Sequence, residues 1–109
     1  MNEVLLIGRL GSAPEYTKLN ETMEKANFSL ATSSKWKDKA GNNQETTEWH
    51  RVICWGSLAR NCYEYIDKGS LVAVSGSVQT RSYEKEEKKI YVTEIQARSV
   101  NFLDKKDDK

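Results

Sequence analysis

A chain of 109 residues, 38% hydrophobic and 30% charged, is sized for one soluble domain that buries roughly two-thirds of its unfolded surface. That balance excludes a disordered or membrane class and leaves little room for a second domain or a large catalytic cleft. The formal net charge of +1 excludes a generally basic surface, so a polyanion would have to be met by local positive charge.

The elements read in chain order as strands separated by polar loops. Val4–Leu10 is an apolar run ended by Gly11 and Ser12. Ser12 to Met23 is polar, holds the only proline, Pro14, and reads as a loop. Asn27–Ser33 alternates apolar and polar residues, as a half-buried strand does. Lys35 to Thr47 is charged, with Gly41-Asn42-Asn43 as turn chemistry at the tip of a long hairpin. Glu48–Trp55 is β-branched and aromatic, a third strand that ends at Gly56. Ser57 is placed to N-cap a helix running to Lys68, with Leu58, Cys62, Tyr65 and Ile66 on one stripe and Gly69 just past its end. Leu71–Val78 is the fourth strand, with Gly76 at a bulge or bend. Glu84 to Lys89 reads as a charged hairpin loop. Lys89–Leu103 is the fifth strand, and Asp104–Lys109 a short, charged, disordered end.

Five strands with one helix between the third and fourth fit an all-β, five-stranded Greek-key barrel of the OB type over residues 1–103. A half-open α+β sheet is the alternative. The barrel is preferred because the last two strands are long enough to curl.

Chemistry of the catalytic kind finds no foothold. Cys54 and Cys62 lack metal spacing and read as reduced thiols, one in a strand and one in a helix. His50, the only histidine, has no nucleophile or carboxylate partner marked by spacing and reads as a packed or interface residue. The residues imply no cofactor, no metal and no enzyme. The start of the chain has neither a basic region nor an apolar run long enough for a signal peptide or a membrane span, which makes the cytosol the default compartment.

The aromatic residues point elsewhere. Trp36 sits in Lys35-Trp36-Lys37-Asp38-Lys39, a poor core position because burying its lysine neighbours would be costly. Trp49 and Trp55 are six apart on one strand and so share a face, with Arg51 between them in the same phase. Val52 and Cys54 suit the opposite, core-facing side, alongside His50. Arg81 and Tyr83 likewise share a face. Packing the barrel is the plainer role open to such aromatics, most of all to Trp55 beside Cys54 and Gly56. A wet face carrying Trp36, Trp49, Trp55 and Tyr83 instead predicts a groove in which aromatic rings take base faces. Lys35, Lys37, Lys39, Arg51, Arg81, Lys68 and Lys88 would take phosphates there. Each stacked base contributes about 1–3 kcal/mol with little regard to sequence.

At Thr47-Glu48-Trp49-His50-Arg51-Val52 the chain resembles the bacterial single-stranded DNA-binding proteins. Asn2–Gly11, Phe28–Thr32 and Leu71–Arg81 with Tyr83 extend the likeness over nearly the whole length. The resemblance implies an OB-fold, most often a homotetramer with a dimer as the lesser case, that binds single-stranded DNA in the cytoplasm, on the nucleoid. It implies protection of that DNA during replication, recombination and repair. It places Trp36, Trp49, Trp55 and Tyr83 at base-stacking positions and His50 at a subunit contact. Trp55 stands where many members have phenylalanine, and Tyr83 where many have tryptophan. It also implies a long tail with an acidic tip that recruits replication and repair proteins. This sequence reaches Lys109 without such a tip, so recruitment through a tail is not expected of it. An OB-fold module that mainly binds other proteins, such as a primosomal accessory protein, is the second functional class.

Overall fold

Alternating apolar residues give the long strands a buried side near the middle of the molecule, and that side closes a barrel. The computed structural model describes residues 1–104. In chain order the elements are β1 (Val4–Leu10), β2 (Glu15–Lys18), β3 (Glu24–Lys37), β4 (Asn43–Trp55), α1 (Ser57–Tyr65), β5 (Leu71–Lys85) and β6 (Lys88–Phe102). The sheet order is β1-β5-β6-β4-β3-β2, and β1 also pairs with β3 through Arg9 and Leu10. That extra pairing closes β1, β3, β4, β5 and β6 into the five-stranded OB-type barrel, with α1 between its third and fourth strands. The half-open sheet is thereby excluded. All pairings are antiparallel except β4–β6, which is parallel at Val52↔Ile95 and Ile53↔Gln96.

The core is built from Phe28, Leu30, Val52, Val72, Val74 and Ile95, with Cys62 and Ile66 closing it from the helix side. Cys54 and Cys62 are free and buried, with sulfurs 3.9 Å apart, and their shared hydrogen bond together with burial pushes the Cys54 thiol up. No helix among the described residues is long and apolar enough to cross a membrane.

Several local expectations need correcting. The loop over Ser12 to Met23 contains β2, a short strand on β3 held by Tyr16. Its hydroxyl donates to Glu24 and its ring stacks on Tyr63 at 4.9 Å. Ser57 is not the cap of α1. Gly56, with φ 67°, takes that place, its N–H donating to the Glu24 carbonyl, and no side chain caps the helix. The helix stops at Tyr65 rather than Lys68, because the extended Ile66 turns inward to bury its side chain. Gly69 does adopt positive φ, at 88°, but in a separate turn closed by Ser70 N–H to Asp67 C=O at 3.0 Å. The bulge at Gly76 is present, with Arg98 the unpaired extra residue on β6. The charged loop at Glu84–Lys89 shrinks to two residues, Glu86 and Glu87, both at positive φ, a conformation costing about 1–2 kcal/mol per non-glycine residue. Of the charged end, Asp104 is described and accepts a hydrogen bond from Leu71 N–H at 2.9 Å, while residues 105–109 lie outside the described residues.

Beyond the barrel, β3 with β4 and β5 with β6 continue as two long hairpin arms. They raise the radius of gyration to 16.2 Å, against roughly 13 Å for a compact domain of this length.

Candidate nucleic-acid interface

Side-chain phase organises the site. The β3–β4 ladder runs unbroken from Lys25↔Trp55 to Lys37↔Asn43, so odd-numbered positions of both strands share one face. The β5–β6 ladder sets Arg81 opposite Val92 and Tyr83 opposite Ile90, while β4 lies level with β6 at Ile53↔Gln96. The outer face of β5-β6-β4-β3 therefore carries Arg81 and Tyr83 on β5, then Glu94 and Gln96 on β6, then Trp49, Arg51 and Trp55 on β4.

Trp49 and Trp55 do share this face, and both are open to solvent, at 63% and 42% exposed. They are held differently. The Trp55 indole N–H donates to Gln96 Oε1 at 3.0 Å, and Lys25, its partner across the ladder, lies over the ring with Nζ 5.6 Å from the centroid. Trp49 instead lies across Gly11, where an added methyl group would overlap the ring. Tyr83 is 44% exposed on the second arm. A recess of about 190 Å³ beside Arg51 is lined by Ser12, Glu15, Asn27, Phe28, Ser29 and Arg51.

The two arginines are tied rather than free. Arg81 donates through Nε and Nη2 to the two carboxylate oxygens of Glu94, at 3.1 and 3.2 Å. Arg51 Nε lies 3.2 Å from Glu94 Oε2. Glu94 is buried, and the Arg81 hydrogen bonds hold its carboxyl below the usual carboxylate range against the opposing effect of burial. Both guanidiniums stay about half exposed.

Not every predicted residue joins this face. Trp36, 52% exposed, pairs with Gln44 on the even-numbered side, the phase that carries Leu30 and Val52 in the barrel. It therefore stands on the reverse of its arm from Trp49. Lys35 and Lys37 are on Trp49's side. Lys39 lies in the tip turn, which Asp38 closes by accepting from Ala40 N–H and Asn42 N–H. Lys68 sits in the turn bonded to Leu10, next to the glycine under Trp49. Lys88 is at the tip of the second arm, opposite Lys85. The outer face is not wet throughout: Ile53, in phase with the tryptophans, is 1% exposed, because β6 runs beside it. His50 is half-buried on the inner phase, its Nε2 2.9 Å from Thr32 Oγ1, where β1 meets β3.

Glu94, Lys25, Gln96 and Tyr91 were not foreseen. Tyr91, 66% exposed, is on the reverse face of the second arm, as Trp36 is on the first. A glutamate set among Val92, Ile95 and other strand residues was a readable sign of a paired buried charge.

The profile of the single-strand binding protein family matches residues 1–103. The chain belongs to the single-strand binding protein family. Among curated members, it is 45% identical to single-stranded DNA-binding protein 1 of Chlorobaculum tepidum, over 98% of this chain and 67% of that one. It is 41% identical to single-stranded DNA-binding protein 1 of Xylella fastidiosa, over 99% of this chain and 81% of that one. The solved complex of Plasmodium falciparum SSB with single-stranded DNA superposes with a TM-score of 0.88 at 33% identity, covering 95% of this chain and 96% of that one. A deletion variant of the Thermus aquaticus family member superposes with a TM-score of 0.83 at 27% identity, covering 95% of this chain and 51% of that one.

Proposed function

We propose that this chain binds single-stranded DNA without sequence specificity, as a binding protein rather than an enzyme. Bases stack on Trp49, Trp55 and Tyr83 and, where the strand passes around the edge of the first arm, on Trp36. Arg51, Arg81, Lys35, Lys37, Lys39 and Lys68 meet the phosphates. The observation that carries this reading is the outer face itself: three exposed aromatic rings with two half-exposed guanidiniums among them. Four platforms supply on the order of 4–12 kcal/mol before the strand's ordering is deducted, which allows useful affinity at a net charge of only +1.

The working molecule is an oligomer, a homotetramer or a dimer. In support, Leu5 and Ile7 stand exposed on β1, and β1 pairs with β3 at Arg9 and Leu10, so that among the described residues the rest of that edge is open to strand addition. His50 is close to that seam. The protein acts in the cytoplasm on the nucleoid, covering DNA opened during replication, recombination and repair, where other replication and repair proteins meet it.

Titration with oligo-dT at low salt tests the reading. Strong quenching of tryptophan fluorescence is expected, with log affinity falling against log salt by about 0.7 per phosphate neutralised. Absence of quenching rules it out, and equal affinity for duplex and single strands favours the protein-binding module instead.

A further inference from the structure

We propose that Glu94 is the positioning residue of this interface, a buried carboxylate that holds Arg51 and Arg81 in fixed places between the aromatic platforms. The inference rests on the single-stranded DNA reading above.

The charge of Glu94 has the wrong sign for its location. It lies on the face that meets a polyanion, among rings and cations, and by charge alone it weakens binding. The apolar core does not include it. Among the described residues its ion-pair partners are the two arginines, one from each neighbouring strand.

Topology explains how it reaches both. On β6 it lies between β4 and β5. Two residues back from Ile53↔Gln96 along these parallel strands, Arg51 comes level with Glu94. On the other side Glu94 faces Gln79, one ladder step diagonally from Arg81. Arg81 hydrogen-bonds through Nε and Nη2, while Arg51 makes an ion pair, its Nε 3.2 Å from Glu94 Oε2. Each guanidinium therefore keeps N–H donors unspent, aimed by a rigid anchor and half open to solvent. A planar fork already fixed loses less freedom on meeting a phosphate than a free side chain does. Placement, in this arrangement, outweighs the unit of positive charge that Glu94 cancels.

The test is the full chain carrying Glu94→Gln, which gains one positive charge and loses the anchor. Kd for oligo-dT is read by tryptophan quenching over a salt series, with thermal melting alongside. The Kd is expected to rise about tenfold with the saturating quench unchanged, since the rings are untouched. An unchanged or tighter Kd, which added charge alone would give, overturns the proposal. Arg81→Lys decides the matter if Glu94→Gln does not fold. It conserves charge and removes the fork, and about a fivefold weaker Kd is expected. Equal affinity for Arg81→Lys also overturns the proposal. Failure of the unaltered chain to quench would instead remove the DNA-binding reading beneath it.

Discussion

The inner and outer halves of the same long strands differ in almost everything but backbone pairing. In the barrel, β3 and β5 alternate strictly, and Leu30, Val52, Val72 and Val74 are fully buried. Past residue 32 on β3 and 78 on β5 the alternation ends and every position is open. The ladders nevertheless continue without a break to Lys37↔Asn43 and Lys85↔Lys88. A two-stranded ribbon with nothing to cover is marginal by itself, so the arms borrow their order from the barrel that feeds them. Large aromatics left uncovered on such arms add little to folding, and their surface remains free for a ligand. Of the proposed platforms only Trp36 and Tyr83 stand on these arms. Trp49, Arg51 and Trp55 lie opposite Ala31, Ser29 and Lys25 on the outer face of the barrel, so the division between core and proposed binding surface runs between the two faces there and along the strand only at the arms.

The largest expected effect lies on the core side of that division. Leu30→Ala should lower unfolding free energy by about 2–5 kcal/mol, as large-to-small changes in packed cores do. Denaturant unfolding measures this, and the molecules still folded should bind oligo-dT with unaltered Kd. A loss of affinity in that folded population would break the comparison. Trp49→Ala is the converse. It should weaken oligo-dT binding by about 1–3 kcal/mol while the melting temperature holds. A fall in melting temperature would show that the ring supports the fold.

Much of this division was legible in the residues. The alternation through Asn27–Ser33 and the pair Val52 and Cys54 identified the buried side, and the even spacing of Trp49 and Trp55 put Arg51 on the face now seen. What escaped depended on distant pairings. Ile53 shares the tryptophans' phase yet is covered, because β6 arrives beside it from some forty residues away. The same crossing gives Arg51 and Arg81 their carboxylate. Trp36 was assigned from its lysine neighbours, which report exposure but not phase, and only the unbroken register places it on the reverse side. Within the early loop, β2 is too short and polar for a periodic signal, and it depends on Tyr16 finding Glu24 and Tyr63.

Gly11 sharpens the comparison at the seam between the two halves. It lies at the end of β1, its N–H donates to Ser29 C=O at 3.0 Å, and the Trp49 ring covers its α-carbon. Gly11→Val should displace the ring rather than remove it, raising Kd by about three- to tenfold, below the effect of losing a stacked base outright. In a Trp49→Ala background the same change should leave Kd alone. A full additional loss there would mean that Gly11 acts on DNA by another route.

The smallest effect should come from acid, and it separates the two buried carboxylates among the described residues. Glu24 accepts from Arg60 and from Tyr16, and those bonds hold its carboxyl at about 2 against an ordinary value of 4.5. A carboxyl whose value falls on folding stabilises the fold in full above the unfolded value and loses that contribution as pH drops through the folded one. Melting temperature should therefore decline between about pH 5 and pH 2. The decline attributable to this site should be modest, because the Arg60 guanidinium is half in water, where ion pairs contribute little. Glu24 clasps β3 to α1 and β2 on the barrel, whereas Glu94 faces the binding side. Glu24→Gln should accordingly flatten the acid decline and leave oligo-dT affinity at neutral pH unchanged. An unflattened decline would move the acid-sensitive contact elsewhere, Glu94 being the first candidate, since its carboxyl is lowered as well.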